Sequence, residues 1–477
     1  MQICARNAVA LLLSWKRAAK NATPADIVCV DISRTSSALD KVVSFVYNLS
    51  IAKISSFAYN RTVVSDHFKK KTFIFFPIEA GLAHIIRSLA VAEELVRRKH
   101  RVIFALTKKK HFLIKNKKIE VIDIGEYCSD VQSVRKIKDP AYVYPFVLEE
   151  IEILKRYKPD LAIIDFRLSA ILSCKAADIP SVFLVNSDGL PYSTYLPDFK
   201  LPKVFHYLIK PLSQMIIFNF KVQYFNSLTK VAKLIGKNFT RDELLDMTYV
   251  VPEQRGYLPE QEHKYDVYYV GPIWWEGFET VKPAWLDRIK PDGRTIYLTF
   301  GGTGYDPKKL LSLSELLIKK GYRVIVSASN IVDPEQFKPL KGLYVGKFLP
   351  GFAVCQKVDI VVCHGGIGTI SQALVAGKPV VVVPFNPDQY LHGFRFEELG
   401  LGKCVSNLKL IDFIRLDWEN FQQRAKDLSI DRITEAIEGV LKERQKFNGP
   451  IAKYSKMFAD QNGHKKAADI LERLIKQ

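Results

Sequence analysis

A series of short, continuously apolar runs constrains this chain more than any other feature. FIFFPI (73–78), RVIFAL (101–106), LAIIDF (161–166) and SVFLVN (181–186) recur through the first half. TIYLTF (295–300), RVIVSA (323–328), DIVVCH (359–364) and PVVVVPF (379–385) follow in the second. Such runs do not alternate apolar with polar residues, so both faces of each strand must be covered, which is the pattern of parallel strands flanked by helices. Helix-like segments, 88–99 and 310–321 among them, lie between the runs. The alternation predicts an α/β fold: a doubly wound parallel sheet, built twice.

The chain has 477 residues, too many for one ordinary core. A stretch rich in Gly, Pro and Trp at 271–293 separates the two strand sets and reads as a linker. The domains expected are then a Rossmann-like domain over 71–270, a second over 294–445, and a C-terminal helical segment, 446–477, that packs back on the first. Residues 1–70 form an N-terminal extension without clear period or glycine-rich site. The next methionine after Met1 is Met215, so the extension is either translated as such or bypassed by a non-AUG start near 63–71.

Lys and Arg number 70 against 50 Asp and Glu, a formal net charge of +20. That excess suits an anionic partner, either a phosphate-bearing ligand or a membrane face. Nucleic acid is the third option, but the chain has no RNA-binding motif or aromatic stacking platform, so no nucleic-acid partner is expected. No segment approaches the ~20 apolar residues of a membrane span. The apolar residues 8–15 run straight into Lys16, Arg17 and Lys20 with no cleavage site, which disfavours a signal peptide. The seven cysteines are scattered and form no C-x-x-C pair, which favours a reducing, cytoplasmic setting over a disulfide framework. The apolar, aromatic and basic segment 201–236 reads as a pair of core helices with solvated lysines. Its second reading is peripheral contact with the inner membrane face or cover for a greasy acceptor.

The chemistry-bearing residues sit where strands end. Phe300-Gly301-Gly302-Thr303-Gly304 follows one apolar run and precedes a helix near 308; His364-Gly365-Gly366-Ile367-Gly368-Thr369 follows another and precedes a helix over 370–377. Glycines let backbone N–H groups approach an oxyanion, and the helix start adds partial positive charge. Two such loops suit a diphosphate. Asp388-Gln389 follows the next run and offers a carboxylate and an amide to vicinal hydroxyls. In the first half, His84 follows the strand at 73–78 and Asp165 closes LAIIDF. Cys363 beside His364 has no further ligands at zinc spacing, so no metal site is expected.

Together these motifs resemble the donor-binding signature of the UDP-glycosyltransferase superfamily, inverting nucleotide-sugar transferases of GT-B fold. In that fold two Rossmann-like domains face a cleft. The resemblance covers roughly 72–475 and is strongest over 345–403, from Phe348-Leu349-Pro350 through the His364 loop to Asp388-Gln389. It implies that Phe348 stacks on the nucleobase and that the Leu349 backbone reads its edge. It implies that His364, Gly366, Gly368 and Thr369 hold the diphosphate with Gly302 and Thr303, and that Asp388 and Gln389 bind the sugar. Gln372 stands where the family often has a ribose-binding Glu, and Arg87 stands where it usually has Pro. His84 would be the catalytic base and Asp165 its partner acid. No Asp-x-Asp motif is present, so metal-independent transfer of a hexose is expected, with no cofactor besides the nucleotide-sugar donor, UDP- first, and a small-molecule or lipid acceptor. Alternatives are an epimerase of the same fold and a non-catalytic sugar-nucleotide-binding protein.

Overall fold

The computed structural model describes residues 70–128, 133–191, 193, 223–259, 264–273, 282–302, 305–408, 412, 418–460 and 462–475. Most of the N-terminal extension, Thr303, all of 201–222 and the centre of the linker lie outside these residues.

Among the described residues, thirteen strands form two all-parallel sheets. The first contains β1 (Thr72–Pro77), β2 (Arg101–Leu106), β3 (Ile119–Asp123), β4 (Leu161–Asp165), β5 (Ser181–Leu184), β6 (Thr248–Val251) and β7 (Val267–Tyr269), in the order β3-β2-β1-β4-β5-β6-β7. The second contains β8 (Thr295–Thr299), β9 (Arg323–Ser327), β10 (Leu343–Gly346), β11 (Ile360–Cys363), β12 (Val380–Val382) and β13 (Gly402–Cys404), in the order β10-β9-β8-β11-β12-β13. Both are doubly wound, and the strand order reverses beside β1 and β4 in one sheet and beside β8 and β11 in the other. Open α/β sheets bind ligands at that crevice, outside the strands' carboxyl ends.

Period two explains the unbroken apolar runs. Phe73 and Phe75 of β1 enter one core cluster with Val102, Phe104, Leu161 and Ile163. Ile74 and Phe76 enter another with Ile103, Ala105, Ala162 and Ile164. Each strand thus feeds the packing on both faces of its sheet. The strands the apolar pattern does not reveal are mostly at sheet edges: β7 and β10 have no fully buried residue, and β13 has one.

The helices used below are α1 (Leu82–Arg97), α2 (Pro140–Tyr157), α3 (Ser169–Ala176), α4 (Pro307–Lys319), α5 (Gly351–Cys355), α6 (Ile367–Val375), α7 (Pro387–Glu398), α8 (Arg444–Phe458) and α9 (Gly463–Leu474). Local chemistry sets several starts. Asp139 and Asp306 cap α2 and α4 by accepting from Ala141 N and Lys308 N, and each is followed by Pro at the first helical position. Two helices begin earlier than the sequence pattern predicts, α1 at Leu82 and α6 at Ile367. A further helix, α7, begins at Pro387 and puts Asp388 and Gln389 in its first turn.

Beyond 446 the chain forms two helices. On α9, Ala467, Ala468 and Leu471 join the core of the first sheet. Arg98, at the end of α1, pairs with Asp469 at 2.6 Å and Glu472 at 2.8 Å. A Cβ at Gly463 would lie 2.4 Å from the Pro272 carbonyl oxygen, so α9 starts on glycine because backbone passes directly beneath it. Of the 201–236 segment, a helix spans 223–234, with Tyr224, Leu228, Val231 and Ala232 in the core and Lys230 and Lys233 exposed.

Candidate active site

At the first switch point β1 leads into α1 and β4 ends at Asp165. His84 occupies the first turn of α1, and its Nδ1 lies 2.6 Å from Asp165 Oδ1. Asp165 is fully buried. The residue after it, Phe166, adopts φ +58°, a left-handed conformation that a bulky side chain rarely takes. This turn brings the Phe166 ring to 5.9 Å from the His84 ring, against its face.

Arg87 was not expected here. One helical turn beyond His84, it is buried and reaches the same carboxylate: Nε donates to Asp165 Oδ2 at 2.6 Å and Nη2 to Oδ1 at 2.5 Å. Nη2 also stands 3.1 Å from His84 Nδ1, and Nη1 donates to Asn186 Oδ1. Ser88 Oγ completes the set at 2.9 Å from Asp165 Oδ2. Burial alone would raise the Asp165 carboxyl, but the Arg87 charge, His84 and these hydrogen bonds outweigh it and hold it below its usual range. The available signal was an arginine three residues after a candidate base, on a helix face that is otherwise apolar or small.

At the second switch point β8 leads to Gly301-Gly302 and β11 to His364. The glycines here are spacing devices. A Cβ on Gly301, which has φ +68°, would lie 3.0 Å from His364 Cε1, and one on Gly366 would lie 2.6 Å from His364 Nε2. The imidazole therefore lies between two backbones that can approach it only because they lack side chains. His364 Nδ1 has no hydrogen-bond partner. Burial pushes the ring down to about 4, so it is neutral near pH 7. Gly368 faces open space, and Thr369 is third in α6, where backbone N–H groups are unsatisfied within the helix.

Phe348 and Leu349 separate by a simple device. Gly346 makes room for the Leu349 side chain, whose Cδ2 would stand 2.4 Å from a Cβ there. Leu349 is buried and Phe348 stays exposed at 38%. Gln372 on α6 directs its amide to the same corner, with Oε1 2.3 Å from where a Gly351 Cβ would be. Phe348 and Gln372 therefore lie near one corner, at the foot of α5.

Gln389 has a prior commitment. Its Oε1 accepts from Phe385 N at 2.8 Å and Asn386 N at 3.2 Å, closing a capping box with Asn386 at the start of α7. Only its NH₂ remains for a ligand. Burial pushes the Asp388 carboxyl up, helped by the charge of Asp188 and opposed by His392. Asp188 belongs to the first half and follows β5, while Asp388 and His392 belong to α7; the carboxyl ends of the two sheets therefore meet here. The sequence pattern gives no sign of Asp188 or His392 as neighbours of the site, because neither lies in a motif.

The architecture is that of a GT-B protein, two Rossmann-like domains with their ligand crevices at the strands' carboxyl ends. Residues 345–413 match the glycosyltransferase family 28 C-terminal domain. The chain is 26% identical over 360 residues to a PGL/p-HBAD biosynthesis rhamnosyltransferase of Mycobacterium bovis, covering 72% of this chain and 78% of that one. It is 31% identical over 184 residues to a sterol 3-beta-glucosyltransferase of Aspergillus fumigatus, covering 34% of this chain and 13% of the larger protein. Among solved structures, CalG4, the calicheamicin glycosyltransferase, superposes with a TM-score of 0.60 at 18% identity, covering 85% of this chain and 98% of its own. The chain is a glycosyltransferase with a GT-B fold.

Proposed function

We propose that the chain is an inverting, metal-independent transferase that moves a hexose from a UDP-sugar to a hydroxyl of a small or lipid acceptor. The observation that carries this reading is the hydrogen bond between His84 Nδ1 and the buried carboxylate of Asp165. An ionised Asp165 fixes the imidazole with its proton on Nδ1, leaving Nε2 as the base. Nε2 takes the acceptor hydroxyl's proton as the oxygen attacks the anomeric carbon. Attack comes from the face opposite the leaving diphosphate, so the C–O bond forms as the sugar–phosphate bond breaks and configuration inverts.

In this reading His364 is a neutral donor to the diphosphate, joined by Thr369, the α6 N–H groups and the loop at Gly302 and Thr303. Phe348 stacks on the base, the Leu349 backbone reads its edge, and Gln372 bonds the ribose. Asp388 and the Gln389 NH₂ bind the sugar. The sterol acceptor in the name of one relative supports a lipid hydroxyl. No described helix is long and apolar enough to cross a membrane, so a lipid acceptor would be met at a surface.

The test is turnover with UDP-hexoses and a panel of sterol and phenol acceptors, with anomeric configuration read by NMR. The expected product is inverted, and His84→Ala loses at least about a hundredfold in kcat. Retained configuration, or full activity in His84→Ala, contradicts the mechanism. A sugar isomerised without joining the acceptor would support an epimerase instead.

A further inference from the structure

One cluster lies outside the roles assigned above. Asp188, Glu253 and His392 present carboxylate and imidazole atoms that all lie within 4.8 Å of one another. They come from three places: the turn after β5, the segment after β6, and the second turn of α7. They therefore join the two halves of the molecule. Glu253 is 1% exposed and His392 1% exposed. Both ring nitrogens of His392 lack a hydrogen-bond partner, and Nε2 faces Asp188 Oδ1 at 3.8 Å, beyond hydrogen-bonding reach.

Leaving a buried imidazole unsatisfied among carboxylates is unfavourable, because each stranded polar group has lost its water without gaining a partner. The surroundings hold the ring in place. Tyr257 stacks on it, with centroids 5.8 Å apart and planes 15° off parallel. Ser187 donates to Glu253 through both its N–H and its hydroxyl, which fixes that carboxylate. Asp388 adds a further carboxylate close enough to interact with both Asp188 and His392. The cluster is thus rich in carboxyl groups around an imidazole that hydrogen-bonds to none of them.

From this geometry we propose that Asp188, Glu253 and His392 bind one divalent transition-metal ion of the zinc class, which clips the two Rossmann-like halves together. One imidazole nitrogen and two carboxylate oxygens make a suitable ligand set, at about 2.0–2.2 Å from the ion. Tetrahedral ligands at that distance lie about 3.5 Å apart, so the three ligand atoms need to close by up to about 1.3 Å, within reach of side-chain rotation. The ion would lie beside Asp388, at the edge of the proposed sugar site and away from the diphosphate loops, where it holds the two halves and takes no part in the transfer step.

The test uses the full chain, stripped with EDTA and dialysed. It is titrated with zinc chloride by calorimetry, and with cobalt chloride while visible absorption is recorded. The expected result is one equivalent bound, with cobalt d–d bands and no thiolate charge transfer, and a melting temperature that rises with zinc. His392→Gln and Glu253→Gln, changes on opposite halves of the molecule, each weaken binding at least about tenfold. Asp188→Asn serves as a third variant should either fail to fold. Absence of saturable binding, a thiolate band, or unchanged affinity in the folded variants overturns the proposal.

Discussion

The Arg87 guanidinium holds both carboxylate oxygens of Asp165, at 2.5 and 2.6 Å, while His84 shares one of them. A simple histidine–carboxylate pair would give all of the carboxylate's stabilisation to the imidazolium. Here a permanent cation 3.1 Å from His84 Nδ1 opposes that charge. Arg87 is a positioning residue with an electrostatic cost. Arg87→Met is expected to lower kcat at least about tenfold, because Asp165 and His84 lose the fork that orients them. Arg87→Lys, which keeps a charge but loses the fork, is expected to recover only part of that loss. Unchanged kcat in Arg87→Met would show that the guanidinium does not position the pair.

Asp165 itself is expected to be indispensable to stability as well as to turnover. Asp165→Asn leaves Arg87 with a buried charge and no counterion, a loss of about 3–5 kcal/mol in urea unfolding. Asp165→Asn with Arg87→Met should recover part of that loss without recovering activity. Full additivity of the two changes would argue against their coupling.

His364 gives a pH signature. Its pKa falls from 6.5 in the unfolded chain to about 4 in the folded one, so the folded state binds fewer protons between those values. The penalty is absent above 6.5 and grows as pH falls toward 4. Asp165, held low, has the other pattern: it stabilises above its unfolded value of 3.8 and loses that contribution only below it. The raised carboxyls of Glu253 and Asp388 favour the fold as pH falls, so single curves mix these effects. The difference between wild type and His364→Asn isolates the histidine. Wild type should lose more melting temperature between pH 7 and 5 than the variant; parallel curves would contradict the burial argument.

Gly351 tests the nucleotide corner. A Cβ there meets Gln372 Oε1 at 2.3 Å, and the amide is the flexible end of its side chain. Gly351→Ala should therefore fold normally and displace the amide, weakening UDP binding by about tenfold, roughly the worth of one hydrogen bond. Unchanged affinity would remove Gln372 from the ribose contact.

A buried ion pair supports the site from behind. Glu150 on α2 accepts from Arg167 at 2.6 Å, Ser169 at 2.7 Å and Ser173 at 2.6 Å, all fully buried. Arg167 also lies over the Tyr127 ring at 4.9 Å, two residues after Asp165. Glu150→Ala is expected to cost about 3–5 kcal/mol by denaturant titration, because it leaves Arg167 charged and buried. A loss below about 1 kcal/mol would mean that water reaches the arginine.

The fold was legible where strands are central. Runs such as 101–106 and 295–300 are apolar on both faces because both faces are covered, and they coincide with β2 and β8 to within a residue. Edge strands were not, since Val267–Tyr269 and Leu343–Gly346 are half-exposed and carry no continuous apolar signal. The strand-end placement of His84, Asp165 and His364 was legible because each follows a strand in sequence. Arg87 had a signal in its spacing from His84, but its carboxylate partner comes from another strand. Asp188, Glu253 and His392 were not legible, because what brings them together is the sheet order and the meeting of the two halves. Gln389 illustrates a subtler limit: no motif shows that its carbonyl oxygen is used to cap α7.

The central claim is that His364 and the glycine loops beside it form a nucleotide-diphosphate site that needs no metal. Calorimetric titration of the full chain with UDP in EDTA, alongside dTDP and GDP, tests it most directly. The account predicts one equivalent of nucleotide bound by wild type, binding weakened at least about tenfold in His364→Asn, and binding retained in His84→Ala. Failure of all three nucleotides to bind, or equal affinity in His364→Asn, would contradict it.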